Sequence, residues 1–340
     1  MRDLSKLPKA HLHLHFTGAM RINTLLELAK EKHIRLPSHF NESQALNVPA
    51  DQRGWFRFQR AYDSARALVK TEKIMRRIID EAVEDDKKEG SCRLEIQVDP
   101  TSYAPFVGGI TPALEIICDQ TKISAEKHGI EVAVIVAASR MKHPLDARCL
   151  ARLAGRFAST SNGGVIGFGL SNDERAGDTQ SFSKAFAIAE NMGLAAMPHG
   201  GELLGPDHIR NVIDYLHPTR LGHGVRSAED NELLEKIVEN NIGLEICPSS
   251  NVSLGVYSTP DEVPIKKLMN SGAKIALGAD DPLLFHSRLL KQYELLRNVH
   301  GFTDEQIAMI AKSSIEISLA SEQTKRKNIE KINNWLQDDK

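Results

Sequence analysis

The chain has 340 residues, 41% of them hydrophobic and 26% charged, a composition that excludes disorder and allows about three quarters of the extended surface to be buried. Forty-three Lys and Arg against 45 Asp and Glu leave a net charge of −2 with no basic stripe, so nucleic acid is not an expected partner. No apolar run approaches the roughly 20 residues of a membrane span, and residues 1–9 lack the apolar core of a signal peptide, so no membrane partner and a cytoplasmic location are expected.

The first predicted strand, 10–16, alternates imidazole with apolar side chains in Ala10-His-Leu-His-Leu-His-Phe-Thr-Gly18. Side chains alternate across a strand, so His11, His13 and His15 are expected on one face and Leu12, Leu14 and Phe16 on the other. Helical patterns at 22–30, 56–69 and 74–86 then fill a connection too long for one crossover. It reads as a helical insertion, 18–90, above the mouth of a sheet or barrel. Trp55, Phe56, Phe58 and Tyr62 fit either the core of that insertion or a pocket wall. The mixed run Glu84-Asp-Asp-Lys-Lys-Glu89 reads as a solvated helix face.

Seven further strands are predicted at 93–98, 131–138, 165–170, 194–199, 220–224, 243–247 and 274–278. Helices fall between them. One is marked by Leu150, Leu153 and Phe157, another spans 182–192 with Gly193 as its stop, and a third is expected to start at the capping box Ser227-Ala-Glu-Asp230. A second capping box, Thr303-Asp-Glu-Gln306, precedes Ile307, Ile310 and Ala311, and a charged helix at 325–336 lies in the terminal stretch 320–340. Eight strands alternating with helices predict an α/β fold: one (β/α)8 TIM barrel domain, 1–340, with its insertion after the first strand. The four cysteines, Cys92, Cys118, Cys149 and Cys247, form no C-x-x-C pair and are expected as buried free thiols.

Two imidazoles at i, i+2 on an inner wall, His13 and His15, can share one divalent ion, and nitrogen ligands suit zinc. Later strand ends supply further candidates. His199 closes the fifth strand, and Asp280 and Asp281 follow the eighth, one placed to face a metal and the other a substrate. Glu202, in the soft loop His199-Gly-Gly-Glu202, could stay protonated beside a metal and act as a general acid. Glycines flank His223 and allow close approach. Three imidazoles, a carboxylate, an activated water and two proton-transfer groups describe a mononuclear metal hydrolase.

The segments His13-Leu-His15, His199-Gly-Gly-Glu202, Gly222-His-Gly224 and Ala279-Asp-Asp-Pro282 resemble the adenosine deaminase family in order and spacing, as do Pro8-Lys-Ala10, Leu94-Glu-Ile96 and Glu245-Ile-Cys-Pro248. The resemblance runs from about Leu7 to Ser321. It implies a barrel with one Zn2+ per chain, held by His13, His15, His199 and Asp280, that replaces the 6-amino group of a purine nucleoside with oxygen. Glu202 would protonate purine N1, His223 would orient and deprotonate the attacking water, and Asp281 would hold N7 and the incoming oxygen. His15, Thr17, Asn172 and Asp281 would face the substrate. Adenosine is the expected substrate, giving inosine and ammonia; adenine, N6-substituted adenosine and aminofutalosine are alternatives. A different amidohydrolase chemistry would call for a metal-bridging carboxylated lysine, and Lys142 and Lys184 sit in loop or helical contexts.

Four positions depart from the family pattern. Thr17 stands where an acidic residue usually contacts the sugar, a change that would tolerate a larger or anionic 5′ group. Asn172 stands where Gly is usual, His11 where Glu is usual, and Gly200 where Ala is usual.

Overall fold

The computed structural model describes residues 1–41 and 44–337. Eight parallel strands run in the order β1 Lys9–His15, β2 Ser91–Val98, β3 Glu131–Ser139, β4 Val165–Ser171, β5 Ala195–Gly200, β6 Arg220–His223, β7 Gly243–Ile246 and β8 Ile275–Leu277. Each pairs in parallel with its successor, the strand order of a βα barrel. The ring meets just past the end of β8. The Asp280 N–H donates to the His13 carbonyl at 3.1 Å, and the His15 N–H donates to the Asp280 carbonyl at 3.0 Å. A TIM barrel results, with helices outside it.

The strands are buried almost throughout because both of their faces are covered. Their outer faces join the helices in one large core. Inside, Ala133, Ile135, Ile166 and Met197 make a small second core, with Leu319 packed against it. Arg93, Glu95, Arg220 and Glu245 complete the inner filling. Arg220 reaches across to Glu95 on β2 and binds Glu245 on β7 at 2.6 Å. A charge in mid-barrel is tolerated only when paired in this way.

Three helices follow β1: α1 Ile22–Glu31, α2 Gln52–Arg66 and α3 Glu72–Lys88. Asp51 caps α2 by accepting from the Gly54 N–H at 2.7 Å, and Thr71 caps α3 through Ile74. The stretch 18–90 is not uniformly a cover for the mouth. The helix α3 packs on β2 and on the helix Ile110–His128 as a member of the outer ring, and α1 is tied to it by Arg21–Asp85 and Arg77–Glu27. Of the three, only α2 contributes side chains to the main cavity.

Four local expectations are corrected. His11 does not share the inner face with His13 and His15, because the β1–β2 register shifts between His11 and Leu14. Its Nδ1 donates to Asp86 of α3 at 3.0 Å and its Nε2 accepts from the Ala279 N–H at 3.0 Å, so the ring fills the seam between β1 and β8. The charged run is therefore not wholly solvated: Asp86 is 1% exposed, turned inward by that imidazole. Asp230 rather than Ser227 caps the helix Asn231–Glu239, accepting from the Leu233 N–H, while the Ser227 hydroxyl donates back to the Gly224 carbonyl. Of the thiols, Cys247 is buried, Cys92 and Cys118 are half-buried and Cys149 is exposed. The capping box at Thr303 and Gln306 forms as expected. Among the described residues, no helix is long and apolar enough to cross a membrane.

Candidate active site

The C-terminal strand ends gather His13 and His15 from β1, His199 from β5, His223 from β6 and Asp280 after β8. Asp280 Oδ1 lies 3.1 Å from His15 Nε2 and 3.5 Å from His13 Nε2, and His15 Nε2 lies 3.3 Å from His199 Nε2. The donor atoms of His13, His15 and Asp280, and those of His13, His199 and His223, form two overlapping groups each compact enough to hold a metal ion. Asp280 (φ 60°) and His223 (φ 66°) take left-handed backbone conformations rare outside glycine. Such strain, about 1–3 kcal/mol at each, is the kind that functional sites retain.

Small residues make the crowding feasible. A Cβ on Gly222 would lie 2.9 Å from the His13 ring, and one on Gly18 would lie 1.8 Å from Asp281 Oδ1. The Gly200 departure also finds a reason here. A methyl at that position would press on Val212 and Leu221 at 3.2 and 3.3 Å, so those side chains already use the space an alanine would take.

Carboxylates behind the imidazoles orient them. His13 Nδ1 donates to Glu245 Oε2 at 2.8 Å, which leaves its Nε2 directed at the cluster, and the Ser250 hydroxyl holds Asp280 Oδ2 at 2.6 Å. Although burial pulls the His13 pKa down, Asp280 and Glu245 together push it up to about 10. The same two carboxylates that favour an imidazolium would favour a metal dication in its place. His223 falls to about 3 through burial, and burial likewise drives His199 well below the usual imidazole range. Burial, reinforced by the Asp280 and Glu174 carboxylates, holds the Glu202 carboxyl well above its ordinary value. Asp281 is raised by burial and by neighbouring Asp280. Glu202 Oε1 sits 3.5 Å from His223 Nε2.

Buried His13 Nε2, both His223 nitrogens and Asp281 Oδ1 have no hydrogen-bond partner in the protein, so these polar groups are available to a ligand. A cavity of about 650 Å3 opens above them. His15, His199, Glu202, Asp280, Asp281 and Asn172 all line it. Trp55, Phe56, Phe58 and Tyr62 line it, and Phe58 is also a core residue with Trp55 and Tyr62 packed against that core, so the aromatics serve both roles. Asn172 has φ 82°, a conformation that asparagine tolerates better than other side chains and that explains a glycine preference there. Thr17 is fully buried, and its hydroxyl meets the Tyr103 hydroxyl at 2.6 Å, so Tyr103 stands at the cavity where Thr17 was expected.

Sequence reasoning passed over Ser250, Tyr103 and Gln97, and gave Glu245 a place in a motif but no role. The buried Gln97 amide lines the cavity with neither of its polar atoms hydrogen-bonded. Its trace was present in Leu94-Glu-Ile-Gln97, where polar residues interrupt an apolar strand.

Comparison with known proteins gives the same grouping. The family model for adenosine deaminase matches residues 8–335. The chain belongs to the adenosine deaminase family. It is 53% identical to a putative adenosine/adenine deaminase of Streptomyces coelicolor over 99% of this chain and 98% of that one. Its fold superposes on adenine deaminase from Arthrobacter aurescens with a TM-score of 0.88 at 24% identity, covering 98% of this chain and all of the other. A zinc-bound amidohydrolase from Burkholderia ambifaria matches with a TM-score of 0.81 at 22% identity, over 98% and 94% of the two chains. Family membership makes the protein a deaminase-type hydrolase of 6-aminopurines.

Proposed function

We propose that this site deaminates a 6-aminopurine nucleoside by hydrolysis, with adenosine as the simplest substrate and inosine and ammonia as products. The observation that carries the reaction is the convergence of His13, His15, His199 and Asp280 beside Glu202 and Asp281 at the end of one cavity. Three imidazole nitrogens and a carboxylate oxygen fit one zinc ion, and the unpartnered His13 Nε2 is oriented for that role by Glu245. When bound, the ion supplies Lewis-acid activation of water near neutral pH.

The protein groups supply the rest. Glu202, kept protonated by burial, donates to ring N1 and draws electron density from C6. His223, kept neutral by burial, accepts the proton that the attacking water releases. Asp281, whose burial favours its protonated form, donates to N7 and fixes the ring plane. His223 returns that proton to the amino nitrogen, the C6–N bond breaks with its electron pair leaving on ammonia, and the C6 hydroxyl proton passes back to Glu202, so one water enters and one ammonia leaves.

A nucleoside suits the cavity better than a bare purine. The cavity is also lined by Ser102, Asp99, Lys142 and Arg66, polar side chains that suit the sugar of a nucleoside. A second reading, a nucleoside with a larger 5′ group such as aminofutalosine, is favoured by the mouth. Phe56 and Met141, 66% and 63% exposed, line the same cavity as Arg66, so apolar surface and a cation are both on offer there. The names of the Streptomyces and Arthrobacter proteins make free adenine a necessary control.

The test is ultraviolet absorbance and ammonia release on the zinc-loaded protein, with and without chelator, for adenosine, adenine, N6-methyladenosine and aminofutalosine. Chelator-sensitive turnover with a nucleoside giving the highest kcat/KM supports the proposal. Preference for adenine overturns the nucleoside assignment, and no ammonia from any of the four overturns the reaction.

A further inference from the structure

The loop that carries Glu202 has little of its own to hold it. His199-Gly200-Gly201-Glu202 contains two residues without side chains, and Gly201 turns at φ 79°. Nevertheless, Glu202 is 3% exposed and His199 is 3% exposed, so both are held in defined surroundings.

Part of the restraint comes from the end of β6, where the Gly224 and Arg226 N–H groups donate to the Gly200 and Gly201 carbonyls at 2.9 and 3.2 Å, and the rest from the two preceding strand ends. Glu174, three residues past β4, directs its carboxylate at three successive backbone N–H groups. Glu202 donates to Oε1 at 3.1 Å, and Leu203 and Leu204 both donate to Oε2 at 2.8 Å. Arg140, the residue after β3, reaches past β4 to donate from Nη2 to the His199 carbonyl at 2.9 Å, and its Nη1 is anchored on the Thr179 hydroxyl at 3.0 Å. Both side chains are 2% exposed. His208 Nε2 lies 3.5 Å from Arg140 Nη2 and 3.9 Å from Glu174 Oε1, closing the cluster on its far side.

We propose that Glu174 and Arg140 are positioning residues for the deamination proposed above, together fixing the distance and orientation between His199 and Glu202. The pair clamps the backbone at both ends of the diglycine, one end through a carbonyl and the other through three amides. Neither side chain lines the cavity, so neither is available to touch substrate. They act through the loop backbone they hold, beside the electrostatic influence of the Glu174 carboxylate on Glu202. A general acid displaced by about 1 Å loses up to about 10²-fold in rate. Glu174→Gln keeps the size but replaces one accepting oxygen with a donor that opposes the loop N–H groups, whereas Glu174→Asp keeps the charge on a shorter arm.

The experiment combines kinetics with amide hydrogen exchange on the zinc-loaded protein. Glu174→Gln is expected to lower kcat by about 10- to 100-fold, with KM within about twofold and zinc content unchanged. Glu174→Asp should recover part of the loss. In a Glu202→Gln background, the same Glu174→Gln change should cost less than about threefold, because the group it positions no longer acts. An equal loss in both backgrounds would mean a merely structural role and overturn the proposal.

Exchange gives a reading that needs no turnover and separates this inference from the proposed reaction. Amides 202–204 should be protected in the wild type and exchange at least about tenfold faster in Glu174→Gln. Unchanged protection overturns the clamp, even if deamination is confirmed. Should Glu174→Gln fail to fold, Arg140→Lys, which retains the charge but loses the forked contact, must show the same split between kcat and KM.

Discussion

Two buried polar clusters lie inside the same barrel, and they share Glu245. In the lower cluster every carboxylate oxygen of Glu95 and Glu245 has a partner: Arg93, Arg220, the Leu319 N–H or His13. All three Arg220 guanidinium nitrogens are bonded as well. In the upper cluster, a few residues along the same strands, His13 Nε2, both His223 nitrogens and Asp281 Oδ1 have none. Both clusters bear the desolvation cost of burial. The lower one is matched within the chain at all but Arg93 Nη2, whereas the upper leaves several groups whose partners a metal ion and a substrate can supply. Burial of charge therefore does not by itself mark a functional site; what marks this one is that unmatched buried groups gather at the end of one cavity.

Single substitutions can break that contrast. The largest effect is expected for His199→Ala, which should remove stoichiometric zinc and measurable turnover together; full zinc content by metal analysis would exclude His199 as a required ligand. Glu202→Gln should retain zinc and lower kcat by about 10²-fold or more. Its pH profile sharpens the assignment. A general acid must be protonated, so wild-type kcat should fall as pH rises through the raised Glu202 pKa, and the Gln variant should lose that limb. A persistent alkaline limb would assign it to another group.

Glu245→Gln addresses the residue common to both clusters and should affect both properties. Zinc affinity is expected to weaken by about 10- to 100-fold through loss of the His13 anchor. Stability should fall by about 3–5 kcal/mol as Arg220 loses one of its two carboxylates. Glu95→Gln should cost a similar amount of stability in denaturant titration while leaving zinc content and kcat within about twofold. A large drop in kcat for Glu95→Gln would show that the clusters are not separable. Smallest is Thr303→Ala, which removes the capping box of the helix Asp304–Ile317 and should cost about 1 kcal/mol with no change in activity.

Much of this was legible in the chain. All eight strands fall within a few residues of their expected bounds, because parallel barrel strands are short apolar runs and their ends carry Gly, Pro or Asp. The residues expected at the metal and in proton transfer meet in space because their motifs sit at C-terminal strand ends, which any such barrel brings together. The failures are local and share a cause. His11 left its face because a register shift broke the twofold alternation, and Thr17 is covered by Tyr103, a residue 86 positions away. Neither event leaves a trace in nearby sequence.

The sequence by itself determined the barrel, the order of its strands and the candidate donor residues at their ends, since alternation, strand length and motif position are properties of neighbouring residues. Tertiary structure alone decided what stands behind those donors. That Glu245 orients His13, that Glu174 and Arg140 hold the Glu202 loop from two adjacent strands, and that α2 supplies the aromatic wall are all contacts between distant segments. Partner choice among buried polar groups depends on three-dimensional distance and desolvation, and only the closed ring sets both.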